Sequence, residues 1–209
     1  MRWLEKACAG AICGFARFLT GAQARWVGCV PVAGPRVYFA NHASHADFVL
    51  VWASIPHDLR ERTRPVAGLD YWNKDALRRF AAYRLFHAVL IDRAAATRRE
   101  DPIRQMAAAL EAGDALIVFP EGTRNVTDAR LQPFKSGIFH LAAACPDVEF
   151  VPVWIESLSR VMPKGQFLPV PLLCTLTIGA PLKIAPGEDK DAFVERTRAA
   201  LLALSPPEA

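Results

Sequence analysis

Short apolar runs recur along this chain with helix-like stretches between them, and that rhythm constrains the fold more than any other feature. RVYFA (36–40), RPVAGL (64–69), HAVLID (87–92), ALIVF (115–119), EFVPVWI (149–155) and LLCTLTIG (172–179) each have the length and apolar character of a buried strand. Between them Ser44 to Ile55, Asn73 to Phe86, Asp101 to Gly113 and Lys135 to Cys145 read as helices, and a closing helix begins at Asp189. Asn73 is a candidate cap, and Asp101 followed by Pro102 is a good helix start. Strands that alternate with helices need crossover connections, so the expected fold class is α/β, a mostly parallel sheet flanked by helices. Pro152 lacks a ladder donor and implies an edge position or a strand end. Residues 161–173, rich in proline, read as an irregular surface segment.

At 209 residues and 52% hydrophobic, the chain is long enough to bury a substantial core within one domain. The expected division is an N-terminal helical membrane-surface segment over 1–30 and a single domain over 31–209. In that first segment Leu4, Cys8, Ala11, Ile12, Phe15, Phe18 and Leu19 fall at helical spacing, with Lys6, Arg17 and Arg25 elsewhere around the helix. Two readings stay open, a helix lying on a membrane surface and one covering the protein's own core; Trp3 and Trp26 favour the first. No run of about 18 apolar residues is present, so a spanning helix is not expected. The balance of 25 basic against 21 acidic residues gives a net charge of +4 without charge blocks, so no nucleic-acid partner is expected. Five cysteines, odd in number and without metal-ligand spacing, fit a reduced compartment and no metal.

Three polar clusters fall where strands of a parallel sheet end, the position in which ligands collect. His42 and Asp47 follow RVYFA, Asp92 and Arg93 end HAVLI, and FPEGTRN (119–125) ends ALIVF. Asp47 lies about one helical turn beyond Ser44, so its carboxylate can fold back onto one imidazole nitrogen of His42. The other nitrogen is then left as a base. His45 reads as a surface or pocket-wall residue. No Gly-x-Ser-x-Gly elbow is present, and Ser44 is too close in sequence to face His42, so the base is expected to act on a substrate hydroxyl in a direct transfer. Glu121, Gly122, Thr123 and Arg124 form a candidate phosphate cradle, to which Arg93 and Lys135 add positive charge. Arg78, Arg79, Arg98 and Arg99 read as a solvated basic face, part of which can meet anionic lipid headgroups.

NHASHAD (41–47), LIDR (90–93), FPEGTRN (119–125) and FVPV (150–153), in this order and spacing, resemble the four sequence blocks of the glycerolipid acyltransferases, in particular the 1-acylglycerol-3-phosphate acyltransferases. The resemblance spans roughly residues 36–180. It implies His42 as general base and Asp47 as its orienter, and an acceptor phosphate bound by Arg93, Glu121, Gly122, Thr123 and Arg124. The fourth block implies an acyl pocket at Val151, Pro152 and Val153. The implied reaction moves a fatty acyl group from acyl-CoA or acyl carrier protein to the hydroxyl of a lysophospholipid, without metal or other cofactor. The implied location is peripheral, at the cytoplasmic face of a bacterial inner membrane. Another lysolipid acceptor, such as a lyso-ornithine lipid, and a non-catalytic lipid-binding scaffold remain alternatives. The second block departs from the family pattern in opening with His87 rather than glycine, which implies a narrower or differently polar pocket there.

Overall fold

The computed structural model describes residues 10–11, 14–15, 21–44, 47–92, 100–156 and 174–207. In chain order the elements are β1 (Gln23–Trp26), β2 (Arg36–Ala40), α1 (Asp47–Ser54), α2 (His57–Arg60), β3 (Thr63–Gly68), α3 (Leu69–Trp72) and α4 (Ala76–Phe80). A π-helical turn (Ala81–Leu85), β4 (Val89–Ile91), α5 (Pro102–Glu111), β5 (Ala115–Val118) and α6 (Gly137–Ala144) follow. The chain closes with β6 (Glu149–Glu156), β7 (Thr175–Ile178) and α7 (Lys190–Leu202).

The strands form a seven-stranded sheet in the order β1-β7-β6-β2-β5-β3-β4, parallel throughout except for the β6–β7 pair. Alternate side chains of the central strands feed two cores. Tyr38, Ile117, Val151 and Val153 pack with Leu50, Val51 and Trp52 of α1 on one face. Val37, Phe39, Leu116 and Phe150 pack with Leu110 of α5, Leu141 of α6 and Phe193 of α7 on the other. Each fully buried side chain of this size stabilises the fold by about 1.5–3 kcal/mol, so the two cores rather than surface ion pairs hold the sheet. Among the described residues no helix is long and apolar enough to cross a membrane.

Four sequence expectations are corrected. The helical reading of 1–30 fails at Gln23–Trp26, an edge strand paired in parallel with β7; backbone at 10–11 and 14–15 is helical, and the remainder of 1–20 lies outside the described residues. The helix expected from Asn73 to Phe86 is present but starts three residues late, running without a break from α4 into the π turn, Ala76 to Leu85. Asp75, in extended conformation, is its cap and accepts from the Arg78 amide at 2.9 Å, while Asn73 closes α3. Pro152 sits in an interior strand. On its outer side Phe150 donates to the Leu182 carbonyl and the Pro152 carbonyl accepts from Gly179, so the missing N–H faces the break between that bridge and the β7 ladder. The fourth concerns His87, which is exposed, stands outside the described cleft wall and has φ +47°, so it does not narrow the pocket. Glycine suits that position because it carries no steric penalty in the left-handed region. His87→Gly is expected to stabilise the fold by up to about 1 kcal/mol, read as a rise in Tm. The segment 161–173 lies outside the described residues.

Candidate active site

β2, β3, β4 and β5 run parallel, so their carboxyl ends open on the same side of the sheet, and a cleft of about 960 Å³ lies there. His42 enters it from the end of β2, Asp92 from the end of β4, and Gly122, Thr123 and Arg124 from the loop after β5. The volume is that of a small-molecule or lipid-chain site.

Asn41 sets the exit from β2. Its amide donates to the Ile155 carbonyl at 2.9 Å and its side-chain oxygen accepts from the Ile155 amide at 2.7 Å. The side chain thereby continues the β2–β6 ladder for one more step and fixes where the next residue emerges. That residue is His42, whose Nδ1 lies 3.0 Å from Oδ2 of Asp47. The same oxygen accepts from the amides of Ala43 and Ser44, each at 2.7 Å. Asp47 is buried at the first turn of α1, so one carboxylate both closes the backbone turn after β2 and grips the ring. A carboxylate at Nδ1 places the imidazole proton there and leaves Nε2 as acceptor. The ring stacks on Phe119, centroids 4.2 Å apart and planes at 24°, which restricts its rotation.

The loop after β5 is bonded directly to the histidine. The His42 amide donates to Oε1 of Glu121 at 2.7 Å, and the His42 carbonyl accepts from the Asn125 amide at 2.6 Å. Oε2 of Glu121 accepts from the Gln132 amide at 3.0 Å. The first and third motifs are thus one hydrogen-bonded unit. Burial pushes the Glu121 carboxyl upward from its ordinary pKa, opposed by the Gln132 and His42 amides. This corrects the expectation that Glu121 helps to bind phosphate: the side chain is buried outside the described cleft lining, and both oxygens accept backbone amides.

The other cradle residues are placed as a lip. Gly122 has φ +71°, and a Cβ there would stand 3.2 Å from Cγ of Lys135, so glycine lets the lysine stem lie across the turn. Lys135 is held by its amide, which donates to the Pro120 carbonyl at 2.8 Å. Thr123, Arg124 and Lys135 are exposed at the cleft, and among the described residues neither cation is paired with a carboxylate. Asp92 lines the cleft as well; Arg93 and His45 lie outside the described residues.

The acyl-pocket assignment is also corrected. Val151, Pro152 and Val153 are buried in β6, with β2 on one side, and none is on the described wall of the cleft. The apolar wall is built instead from Phe48, Trp72 and Phe86 on one side and Met106, Ile138 and Leu141 on the other. Phe48 meets Trp72 and Phe86 edge to face at 5.5 and 5.0 Å. Sequence reasoning missed these residues together with Asn41 and Phe119. Their motif positions beside His42 and Glu121 were the available signal for the last two. The described lining contains no serine or cysteine.

Comparisons with known proteins bear on the family and the fold. The model of the Acyltransferase family matches residues 27–156, more than half of the chain. A 1-acyl-sn-glycerol-3-phosphate acyltransferase of Chlamydomonas reinhardtii is 28% identical over 186 residues, covering 85% of this chain and 51% of its own. Another of that name from Limnanthes douglasii is 32% identical over 146 residues, covering 65% of this chain and 47% of its own. The chain therefore spans about half the length of these relatives. The crystal structure of the 1-acyl-sn-glycerophosphate (LPA) acyltransferase PlsC from Thermotoga maritima superposes with a TM-score of 0.69 at 20% identity. The match covers 96% of this chain and 79% of that one, a likeness of fold. A family model matched over residues 27–156, more than half of the chain and five of the seven strands of its sheet, establishes that this chain belongs to the acyltransferase family.

Proposed function

We propose that the protein transfers a fatty acyl group from an acyl thioester, carried on coenzyme A or on acyl carrier protein, to the free hydroxyl of 1-acylglycerol-3-phosphate, giving phosphatidic acid. The observation that carries this reading is the contact of 3.0 Å between His42 and Asp47 at a cleft with a cationic lip and an apolar wall. The names of the Chlamydomonas and Limnanthes relatives support the choice of acceptor.

In the proposed reaction Nε2 of His42 accepts the hydroxyl proton as the acceptor oxygen bonds to the thioester carbonyl carbon. Asp47 stabilises the imidazolium that forms. The tetrahedral intermediate collapses with breakage of the C–S bond, and the departing thiolate takes the proton from the imidazolium. The products are one ester and one free thiol. Lack of a serine or cysteine on the described cleft wall favours this direct route over an acyl-enzyme. No metal or organic cofactor enters the proposed steps. Arg124 and Lys135 are assigned to the acceptor phosphate, and the apolar wall to acyl chains. The enzyme is taken to work as a peripheral protein at the cytoplasmic face of a membrane.

Arg124→Ala is expected to raise the acceptor KM about tenfold to a hundredfold, since a charge-assisted hydrogen bond contributes about 1.5–3 kcal/mol, with kcat much less affected. The reading itself is tested by mass spectrometry of the lipids that the purified protein makes from mixed acceptors and donors. Phosphatidic acid as the main product supports it; preferred acylation of an acceptor without a phosphate overturns it.

A further inference from the structure

Residues 69–86, which form one wall of the cleft, present an unusual outer face. Tyr71, Trp72, Ala82 and Phe86 turn inward to line the cleft. On the same stretch Leu77, Phe80 and Tyr83 are 77%, 45% and 50% exposed, at a spacing of three residues. Three large exposed apolar side chains on one short helical stretch depart from the single scattered ones of an ordinary surface. In the loop after β5, two residues beyond Arg124, Val126 is 84% exposed. The patch has a charge to match: residues 74–84 hold four basic side chains, Lys74, Arg78, Arg79 and Arg84, against one acidic, Asp75. Arg78 pairs with Asp75 at 3.2 Å and lies over the Tyr71 ring at 4.3 Å, so it also props that ring at the cleft.

We propose that this wall is a docking surface for an anionic lipid bilayer, with Leu77, Phe80 and Tyr83 entering the headgroup boundary and Lys74 and Arg79 contacting lipid phosphates. Exposed apolar side chains ringed by basic ones are what an interfacial element needs, burial in acyl chains and attraction to anionic headgroups acting together. Its position explains its use. The inner and outer faces belong to one segment, so a bilayer docked on the outer face lies about one helix diameter from the cleft. The surface is separate from the N-terminal thirty residues and adds an exposed apolar component to the basic face at Arg78 and Arg79 that the sequence already offers to anionic headgroups. It rests on the lipid-acceptor reading for its purpose but not for its test, because binding is measured without turnover.

The test is sedimentation of the full chain with vesicles of phosphatidylcholine, with and without about 30 mol % phosphatidylglycerol. The triple variant Leu77→Ser, Phe80→Ser, Tyr83→Ser is expected to lose about tenfold or more in partitioning onto the anionic vesicles. The variant Lys74→Gln, Arg79→Gln is expected to lose preference for anionic over neutral vesicles. Both retain the N-terminal residues, so any loss reports on the wall. Thermal melting shows whether the triple variant is folded; if it is not, the charge variant decides alone. Parental binding by a folded triple variant, or undiminished anionic preference in the charge variant, overturns the proposal.

Discussion

Replacing His42 by alanine is expected to lower turnover about 10²- to 10⁴-fold, the usual contribution of a positioned general base, while the protein stays folded and still binds lipid. The fold should survive because the ring is not what secures this corner. The His42 backbone is held by Glu121 and Asn125, and the strand exit by Asn41, none of which needs the imidazole. Loss of the ring leaves the acceptor hydroxyl without a proton acceptor and frees a face of Phe119. Steady-state kinetics with a thioester and a lysophospholipid read the effect, and thermal melting checks the fold. Wild-type turnover in a folded His42→Ala protein would remove the base from the account.

Asp47→Asn is the second large effect. The Asp47 oxygen that meets His42 also accepts two backbone amides, and an asparagine oxygen in its place can keep accepting from Ala43 and Ser44. What asparagine cannot do is carry the negative charge that stabilises an imidazolium. The expected outcome is a fall in kcat of about 10²-fold or more with KM for both substrates little changed. Asp47→Ala is the informative contrast, since it also leaves two amides without an acceptor and is expected to lower stability by about 1–3 kcal/mol per unsatisfied group. An Asn variant as active as the parent would make Asp47 a capping residue only.

Much of the architecture was legible because burial on both faces of a parallel sheet forces apolar runs such as ALIVF and RVYFA, which survive as β5 and β2. Asp101-Pro102 was legible for a local reason: the carboxylate accepts from the Ile103 amide at 3.0 Å and proline needs no donor at the first turn. β1 was hidden because QARW is short, half-exposed and defined by pairing with β7, far along the chain. At the site, His42 and Asp47 were readable from spacing, since one turn brings the side chains together. Glu121 was not, because its role depends on which way the side chain points: a loop carboxylate beside an arginine looks like ligand chemistry until its oxygens are found on the His42 and Gln132 amides. Val151 to Val153 misled for the opposite reason. Their apolar character serves the core of a strand bracketed by β2 and β7, whereas the cleft draws its apolar wall from helices on two faces.

In the proposed mechanism His42 activates a bound alcohol for direct attack on the thioester. Free-thiol release from acyl-CoA, followed with the purified protein in the presence and absence of lysophosphatidic acid, tests it most directly. The expected result is thiol release that requires the acceptor and matches ester formed mole for mole. Equal release without the acceptor would make water the nucleophile and contradict it.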